Sequence, residues 1–159
     1  MPVYNCRFID DKTKEPAPQH LQLVGPRVPV EIKVPDAVVQ ELTKRQLPIP
    51  QPVSGYALID TGASVLCVDH GVLTTSLKLS PFSSAKVGTP AGEVEQGIFP
   101  VALSFPGTGI GELSLARCLG ADLDSQRKAT NIIALIGRDV LINCVFIYNG
   151  KGGVYTLAY

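Results

Sequence analysis

The chain has 159 residues, of which 45% are hydrophobic, and it carries 14 basic and 14 acidic side chains. This length fits one domain of ordinary size with a buried core, and the balanced charge removes the usual electrostatic case for nucleic acid or an acidic membrane as partner. No apolar stretch is long enough to cross a bilayer, and residues 1–16 hold no apolar core of signal-peptide length, so we expect a cytoplasmic protein without a membrane partner.

Short runs rich in Val, Ile, Leu and Tyr are separated by 15 glycines and 13 prolines, and they favour strands over helices. The predicted strands, in chain order, are 21–34, 55–60, 64–69, 83–87, 93–105, 111–121 and 131–137. The chain then ends in a predicted hairpin over 144–159, with "NGKGG" at its turn.

Two short helices are predicted, over 35–46 with Asp36 as the N-cap and over 137–143. Many short strands with one or two short helices predict an all-β fold, either a small closed barrel or a sandwich. We interpret 1–159 as a single domain, in which residues 1–20 form an N-terminal extension and residues 35–50 a helical insertion.

The cysteines and histidines show no spacing typical of a metal site, since none of the four cysteines forms a CxxC pair and the two histidines are scattered. Cys67 and Cys144 lie in apolar runs and are expected to be buried free thiols. We therefore expect neither a metal nor a cofactor.

A carboxylate stands at the end of an apolar run in "ALIDTGAS", residues 57–64. Because an unpaired buried charge costs several kcal/mol, Asp60 is expected to leave the strand end, where Gly62 allows a sharp turn. On its own this pattern favours an Asx-turn, in which Asp60 caps its own loop.

A second signature, "ALIGRDVL" at 134–141, changes that interpretation. Together the two stretches resemble the retropepsin-like aspartic proteases, whose catalytic loop reads D-T/S-G-A/S after apolar residues and whose second signature is an apolar run followed by G-R-D or G-R-N. The resemblance covers about 21–159 in layout, and its specific part is confined to about 57–65 and 134–141. It implies a small closed barrel of the retropepsin (half-pepsin) type and an aspartic endopeptidase acting on polypeptides.

The resemblance also implies how the chemistry is assembled. Two adjacent carboxylates that share one proton can activate water and protonate an amide, but this chain offers a single D-T-G. The pair would therefore come from Asp60 of each chain of a homodimer. Thr61 would hydrogen-bond across the twofold axis, Gly62 would allow the turn and expose its carbonyl, and Ala63 and Ser64 would line the substrate cleft.

The second signature would support that loop. Gly137 would permit close packing against it, and Arg138 and Asp139 would open the short helix. Retroviral members commonly have an aspartate in place of Ser64 that pairs with the arginine. Serine cannot form this ion pair, so the partner of Arg138 is either Asp139 or a backbone carbonyl.

A lid over the cleft is the remaining feature that the resemblance implies. The hairpin predicted over 85–97 lies between the two signatures, and by itself it would be an ordinary surface hairpin. As a flap it would bring to the substrate the residues of its tip, Gly88, Thr89, Pro90, Ala91 and Gly92.

Two other functions compete with this interpretation. A serine hydrolase is disfavoured because the chain contains no G-x-S-x-G. Asp69 and His70 are expected to be surface residues, not triad partners of Ser64, since neighbours on a strand point to opposite faces. The stronger alternative is a catalytically silent retropepsin-like module that dimerises or binds peptides.

Overall fold

A computed structural model describes residues 2–89 and 92–159 of the chain. Within these residues the strands are β1 (Val3–Arg7), β2 (Arg27–Lys33), β3 (Val53–Ile59), β4 (Cys67–Asp69), β5 (Ser83–Thr89), β6 (Gly92–Ser104), β7 (Leu113–Ala121), β8 (Ile132–Ile136), β9 (Val145–Asn149) and β10 (Val154–Ala158). The helices are α1 (Pro18–Val24), α2 (Asp36–Lys44), α3 (Asp124–Thr130) and α4 (Arg138–Leu141), with a π-helical turn at Val72–Ser76.

The larger sheet closes on itself. Its strands follow the order β2-β3-β8-β4-β7-β6-β5, and β6 also pairs with β2 through Glu31 opposite Ser104 and Lys33 opposite Ala102. The ring encloses the apolar side chains that alternate along its strands, such as those of Val28, Val30 and Ile32 on β2. The prediction of an all-β fold, a small closed barrel with short helices, is confirmed.

One parallel strand pair sets the position of both sequence signatures. β3 and β8 run parallel, with Ile59 opposite Ile136, so their carboxyl ends meet at the same edge of the sheet. The residues that follow, Asp60 and Gly137, are therefore brought side by side. The Asp60 amide confirms the register by donating to the Ile136 carbonyl over 3.0 Å.

The terminal strands form a separate sheet with the order β1-β10-β9. The predicted hairpin near the end of the chain is confirmed as β9 and β10, and the segment interpreted as an N-terminal extension contributes β1 to the same sheet. The buried Tyr155 joins this sheet to the barrel, because its hydroxyl donates to the Arg27 carbonyl and accepts from the Arg27 amide at 3.0 Å.

The helices differ from the prediction in three places. The strand expected over 21–34 starts only at Arg27, because Pro18 opens a helix that runs to Val24. α2 has Pro35 at its N-cap position without a side-chain cap, so the assignment of Asp36 as cap was wrong. α3 was not predicted at all. None of the helices in the described residues is long and apolar enough to cross a membrane.

Asp69 is buried, which contradicts its interpretation as a surface residue. Its carboxylate accepts from the amides of Val72 at 3.0 Å and Leu123 at 3.2 Å and lies 3.3 Å from Nε of Arg127. These contacts compensate the charge and tie β4 to the start of α3. His70 is exposed, as expected.

Candidate active site

The loop after β3 holds the carboxylate of Asp60 in a defined orientation. Its Oδ1 accepts from the amides of Gly62 at 2.9 Å and Ala63 at 3.3 Å. These are the hydrogen bonds of an Asx-turn, so the conformation expected from the local sequence is present. They engage one carboxylate oxygen, and the half-buried side chain keeps contact with solvent.

The segment after β8 packs directly on this loop. The amides of Arg138 and Asp139 donate to the carbonyls of Ala63 at 3.0 Å and Ser64 at 3.2 Å. Gly137 makes the approach possible, because a Cβ atom there would lie 2.4 Å from the carbonyl carbon and oxygen of Val65. The structure thus brings the two sequence signatures together.

The guanidinium of Arg138 donates hydrogen bonds to three acceptors of the same loop. Nη1 donates to the carbonyls of Thr61 at 2.8 Å and Gly62 at 2.9 Å, and Nη2 donates to Oγ of Ser64 at 2.8 Å. The sequence left either Asp139 or a backbone carbonyl as the partner of Arg138. The structure shows two backbone carbonyls, together with the Ser64 hydroxyl. The ring of three acceptors fixes the turn that follows Asp60.

Asp139 has a different role. Its Oδ2 accepts from the amide of Leu66 at 2.9 Å, and its Oδ1 accepts from the amide of Val140 at 2.9 Å. One carboxylate therefore ties the end of the loop to the first turn of α4. It accepts from the Leu66 amide, and it is a second acceptor for the Val140 amide, which also donates to the Gly137 carbonyl at 3.2 Å.

Two thiols lie behind the loop in an environment that keeps them neutral. Burial raises the pKa of Cys67 to about 11, and the negative charges of Asp139 and Asp60 add to that shift. Burial likewise raises the pKa of Cys118 to about 12, with a smaller contribution from Cys67. Both side chains are therefore protonated near neutral pH and act as apolar wall rather than as nucleophiles.

A cavity of about 470 Å³ lies between the loop and the β5–β6 hairpin. Its walls come from the loop after β3 and from strands β4, β5, β6 and β7. The lining residues are Gly62, Ala63, Ser64, Val65, Cys67, Ala85, Lys86, Val87, Gly88, Ile98, Arg117, Cys118 and Leu119. Asp60 and Thr61 are not part of this wall, and the cavity begins two residues beyond the carboxylate. The residues of β7 that line it carried no local sequence signal, since only the barrel register brings them to the loop.

The predicted hairpin between the two signatures is present and longer than expected. β5 and β6 pair from Ser83 opposite Ile98 to Thr89 opposite Gly92. Gly88 lines the cavity, and Gly92 opens β6 with φ of 120°. The tip residues Pro90 and Ala91 and the side chain of Thr89 lie outside the described residues.

Side chains that bind metals do not cluster in the described part of the chain. Among residues 2–89 and 92–159, no group of three or more His, Cys, Asp or Glu side chains is placed so that it could hold an ion.

No protein-family model matches the chain, and no curated protein sequence matches it. Among solved structures, the chain is similar to the solution structure of Simian Foamy Virus (mac) protease. The two are 17% identical, and the alignment covers 72% of this chain and 91% of that chain with a TM-score of 0.42.

Replacing Arg138 by lysine is expected to lower the free energy of unfolding by about 1–2 kcal/mol. A lysine ammonium cannot reach the two carbonyls and the Ser64 hydroxyl at once, whereas the planar guanidinium does. Urea unfolding measures the change. Arg45→Lys is the control, because the side chains of Arg45 and Glu41 form an exposed ion pair, and its change should stay below about 0.5 kcal/mol. Equal losses in both variants would contradict the role assigned to Arg138.

Proposed function

We propose that the chain is an aspartic endopeptidase whose active unit is a homodimer, in which Asp60 of each protomer forms the catalytic pair. One observation carries the proposal: the loop amides orient the Asp60 carboxylate next to a cavity of about 470 Å³ beneath a hairpin. An oriented carboxylate, a recess that starts two residues beyond it and a hairpin that borders the recess support this proposal.

The proposed reaction needs the two carboxylates, the one proton that they share, and a water molecule. One carboxylate removes a proton from water as the water oxygen forms a bond to the peptide carbonyl carbon. The protonated carboxylate donates its proton to the amide nitrogen. The C–N bond then breaks as the tetrahedral oxyanion re-forms a carbonyl group, and the amine leaves. The pair ends with one proton, as it began, so its titration belongs to the two carboxylates together.

The remaining residues of the loop take supporting roles in this proposal. The exposed Thr61 hydrogen-bonds to its equivalent across the twofold axis, and Gly62, Ala63 and Ser64 contact the substrate from the cavity wall. On the opposite side, the hairpin contributes Gly88 and the tip residues Thr89, Pro90, Ala91 and Gly92 as a flap over the bound polypeptide.

A second candidate has its own support. Two loop amides donate hydrogen bonds to the Asp60 carboxylate. These bonds also suit a catalytically silent module that dimerises or binds peptides, in which the carboxylate only caps its loop. The two candidates differ in whether a peptide library is cleaved or merely bound at mildly acidic pH.

Activity is expected to depend on protomer concentration, because each chain supplies one carboxylate of the pair. Specific activity should fall on dilution below the dimer dissociation constant, and an excess of Asp60→Asn chains should inhibit the parent protein by forming mixed dimers. A peptidase assay run beside analytical ultracentrifugation measures both effects. Full specific activity in a sample shown to be entirely monomeric would exclude the shared site.

A further inference from the structure

We propose that the cavity beside the loop after β3 selects acidic side chains of a polypeptide substrate, and that Arg117 is the residue that binds their carboxylates. The inference rests on the proposed function, since it concerns the chain that the endopeptidase cleaves. It names the class of substrate, which is a polypeptide with glutamate or aspartate close to the cleaved bond.

The charged residues that line the cavity are all of one sign. Arg117 on β7 and Lys86 on β5 line it, and no Asp or Glu is among the described residues of its wall. The two carboxylates of the site, Asp60 and Asp139, lie outside this wall, and each accepts hydrogen bonds from two backbone amides. The cavity therefore presents positive charge to a substrate, which favours a negatively charged side chain.

The exposed guanidinium of Arg117 has no acidic partner within the described part of the chain, residues 2–89 and 92–159, and it forms no hydrogen bond there. Arg45 and Arg127, by contrast, are each bound by a carboxylate. All five N–H donors of Arg117 are therefore available to a ligand. A carboxylate matches this planar group with two parallel hydrogen bonds.

A break in the strand ladder sets the position of Arg117. The pairing of β6 with β7 shifts at Pro100, so Ala116 and Arg117 both stand opposite this one residue. Proline has no amide hydrogen to donate, so the regular ladder cannot continue through it. An extra residue of this kind forms a β-bulge, which re-aims a side chain and is common beside active sites. The bulge thus gives a physical reason for a charged side chain at this wall.

Lys86 is the weaker of the two cations. It lies directly opposite Glu95 in the β5–β6 hairpin, so the two side chains share one face and the glutamate offsets the lysine charge. Lysine also carries a compact ammonium on a flexible stem, whereas a guanidinium holds a carboxylate in a fixed orientation. These differences assign the selection of acidic side chains to Arg117.

The rest of the wall suits the stem of an acidic side chain. Apolar surface comes from residues of the loop and of β5, β6 and β7, which include Val65, Val87, Ile98 and Leu119. The methylene groups of a glutamate can pack on this surface while its carboxylate reaches Arg117. Within such a recess the ion pair is screened less than on an open surface.

The place of the cavity indicates which substrate residues it meets. It begins at Gly62, two residues beyond Asp60, so an extended substrate that runs along the loop reaches it about two residues from the cleaved bond. The twofold axis of the proposed dimer repeats the cavity on the other side of the catalytic pair. Acidic residues are therefore favoured at matching positions on both sides of the cleaved bond.

Cleavage of positional-scanning peptide libraries tests this selection. Glutamate, its neutral isostere glutamine or lysine is fixed at each position, and the libraries are digested at about pH 6, where a glutamate side chain is ionised. About two residues from the cleaved bond, glutamate is expected to give a cleavage rate at least about tenfold above that of glutamine, as a hydrogen bond to a charged group would. Salt at about 1 M should lower this ratio, because it screens the charges.

Substitutions of Arg117 test which residue is responsible. Arg117→Gln is expected to bring the ratio of glutamate to glutamine cleavage to about one, and Arg117→Glu should reverse the preference in favour of lysine. Arg45→Gln is the control, because it removes the same side chain from α2, outside the cavity, and should keep the parental ratio. Circular dichroism checks that all variants fold. A ratio near one in the parent protein, or a tenfold ratio that survives in folded Arg117→Gln, overturns the proposal.

Peptide binding to the Asp60→Asn chain separates this selection from the proposed function. Fluorescence anisotropy compares labelled glutamate and glutamine peptides of the library without cleavage. Cleavage by the parent protein with no preference for acidic residues rejects the selection and retains the endopeptidase. Tighter binding of glutamate peptides that Arg117→Gln abolishes, in a protein that cleaves none of them, rejects the endopeptidase and retains the selection. A chain that neither cleaves nor binds any peptide rejects both.

Discussion

Asp60→Asn is expected to abolish peptidase activity, with kcat/KM lowered by at least about 10³-fold, because one substitution removes both carboxylates of the dimer. The fold should persist, since an asparagine side-chain oxygen can still accept from the amides of Gly62 and Ala63. Peptide cleavage measures the first effect, and thermal unfolding measures the second.

The chain supplies a matched control for that substitution in its first loop. Oδ1 of Asp10 accepts from the amides of Lys12 at 2.9 Å and Thr13 at 2.8 Å, which repeats the local geometry of Asp60 away from the cavity. Asp10→Asn should leave activity unchanged. Near-parental activity in Asp60→Asn would exclude the aspartic mechanism, and a parent protein that binds peptides without cleaving them would favour the silent module.

Gly137→Ala is expected to lower the free energy of unfolding by about 3 kcal/mol or more. The added Cβ would lie 2.4 Å from the carbonyl carbon and oxygen of Val65 and 2.8 Å from its Cα. These are backbone atoms, so no side-chain rotation relieves the contact, and the loop must move away from α4. Urea unfolding followed by circular dichroism gives the loss directly.

Gly111→Ala serves as the control for the glycine substitution. Nothing lies within 4 Å of a Cβ at Gly111, and its φ is not positive. Its stability should be unchanged or raised by up to about 1 kcal/mol, because alanine restricts the unfolded chain. A Gly137→Ala protein that unfolds at the same urea concentration as Gly111→Ala would contradict the close packing described for the site.

Much of the barrel could be predicted because its strands carry strong local patterns. The apolar runs that end at Ile59 and Ile136 are followed by a carboxylate and a glycine, and this change marks the end of each strand. The resemblance to the retropepsin-like proteases implied that the two signatures belong to one site. The local Asx-turn was predictable for the same reason, since Asp60 and Gly62 suffice to form it.

The features that were missed have either no apolar pattern in the local sequence or partners distant in sequence. α3 contains no apolar stripe, and its residues are held by charge, with Asp124 bonded to Arg127 and Lys128. Asp69 was assigned to the surface because two of its compensating partners, Leu123 and Arg127, lie more than 50 residues away. The β7 wall of the cavity follows from barrel register, which a single sequence does not reveal.

The pairing of β1 with β10 has a consequence for the order in which the protein can fold. Val3 lies opposite Ala158, so β1 leaves the ribosome long before the strand with which it pairs. At about 5–20 residues per second, the roughly 150 residues between them take about 8–30 s to synthesise. Throughout that interval β1 has no strand to pair with, while the barrel strands already have most of theirs. The β1–β10 ladder therefore forms after the barrel strands have been synthesised, so the barrel can begin to pair its strands before this sheet exists.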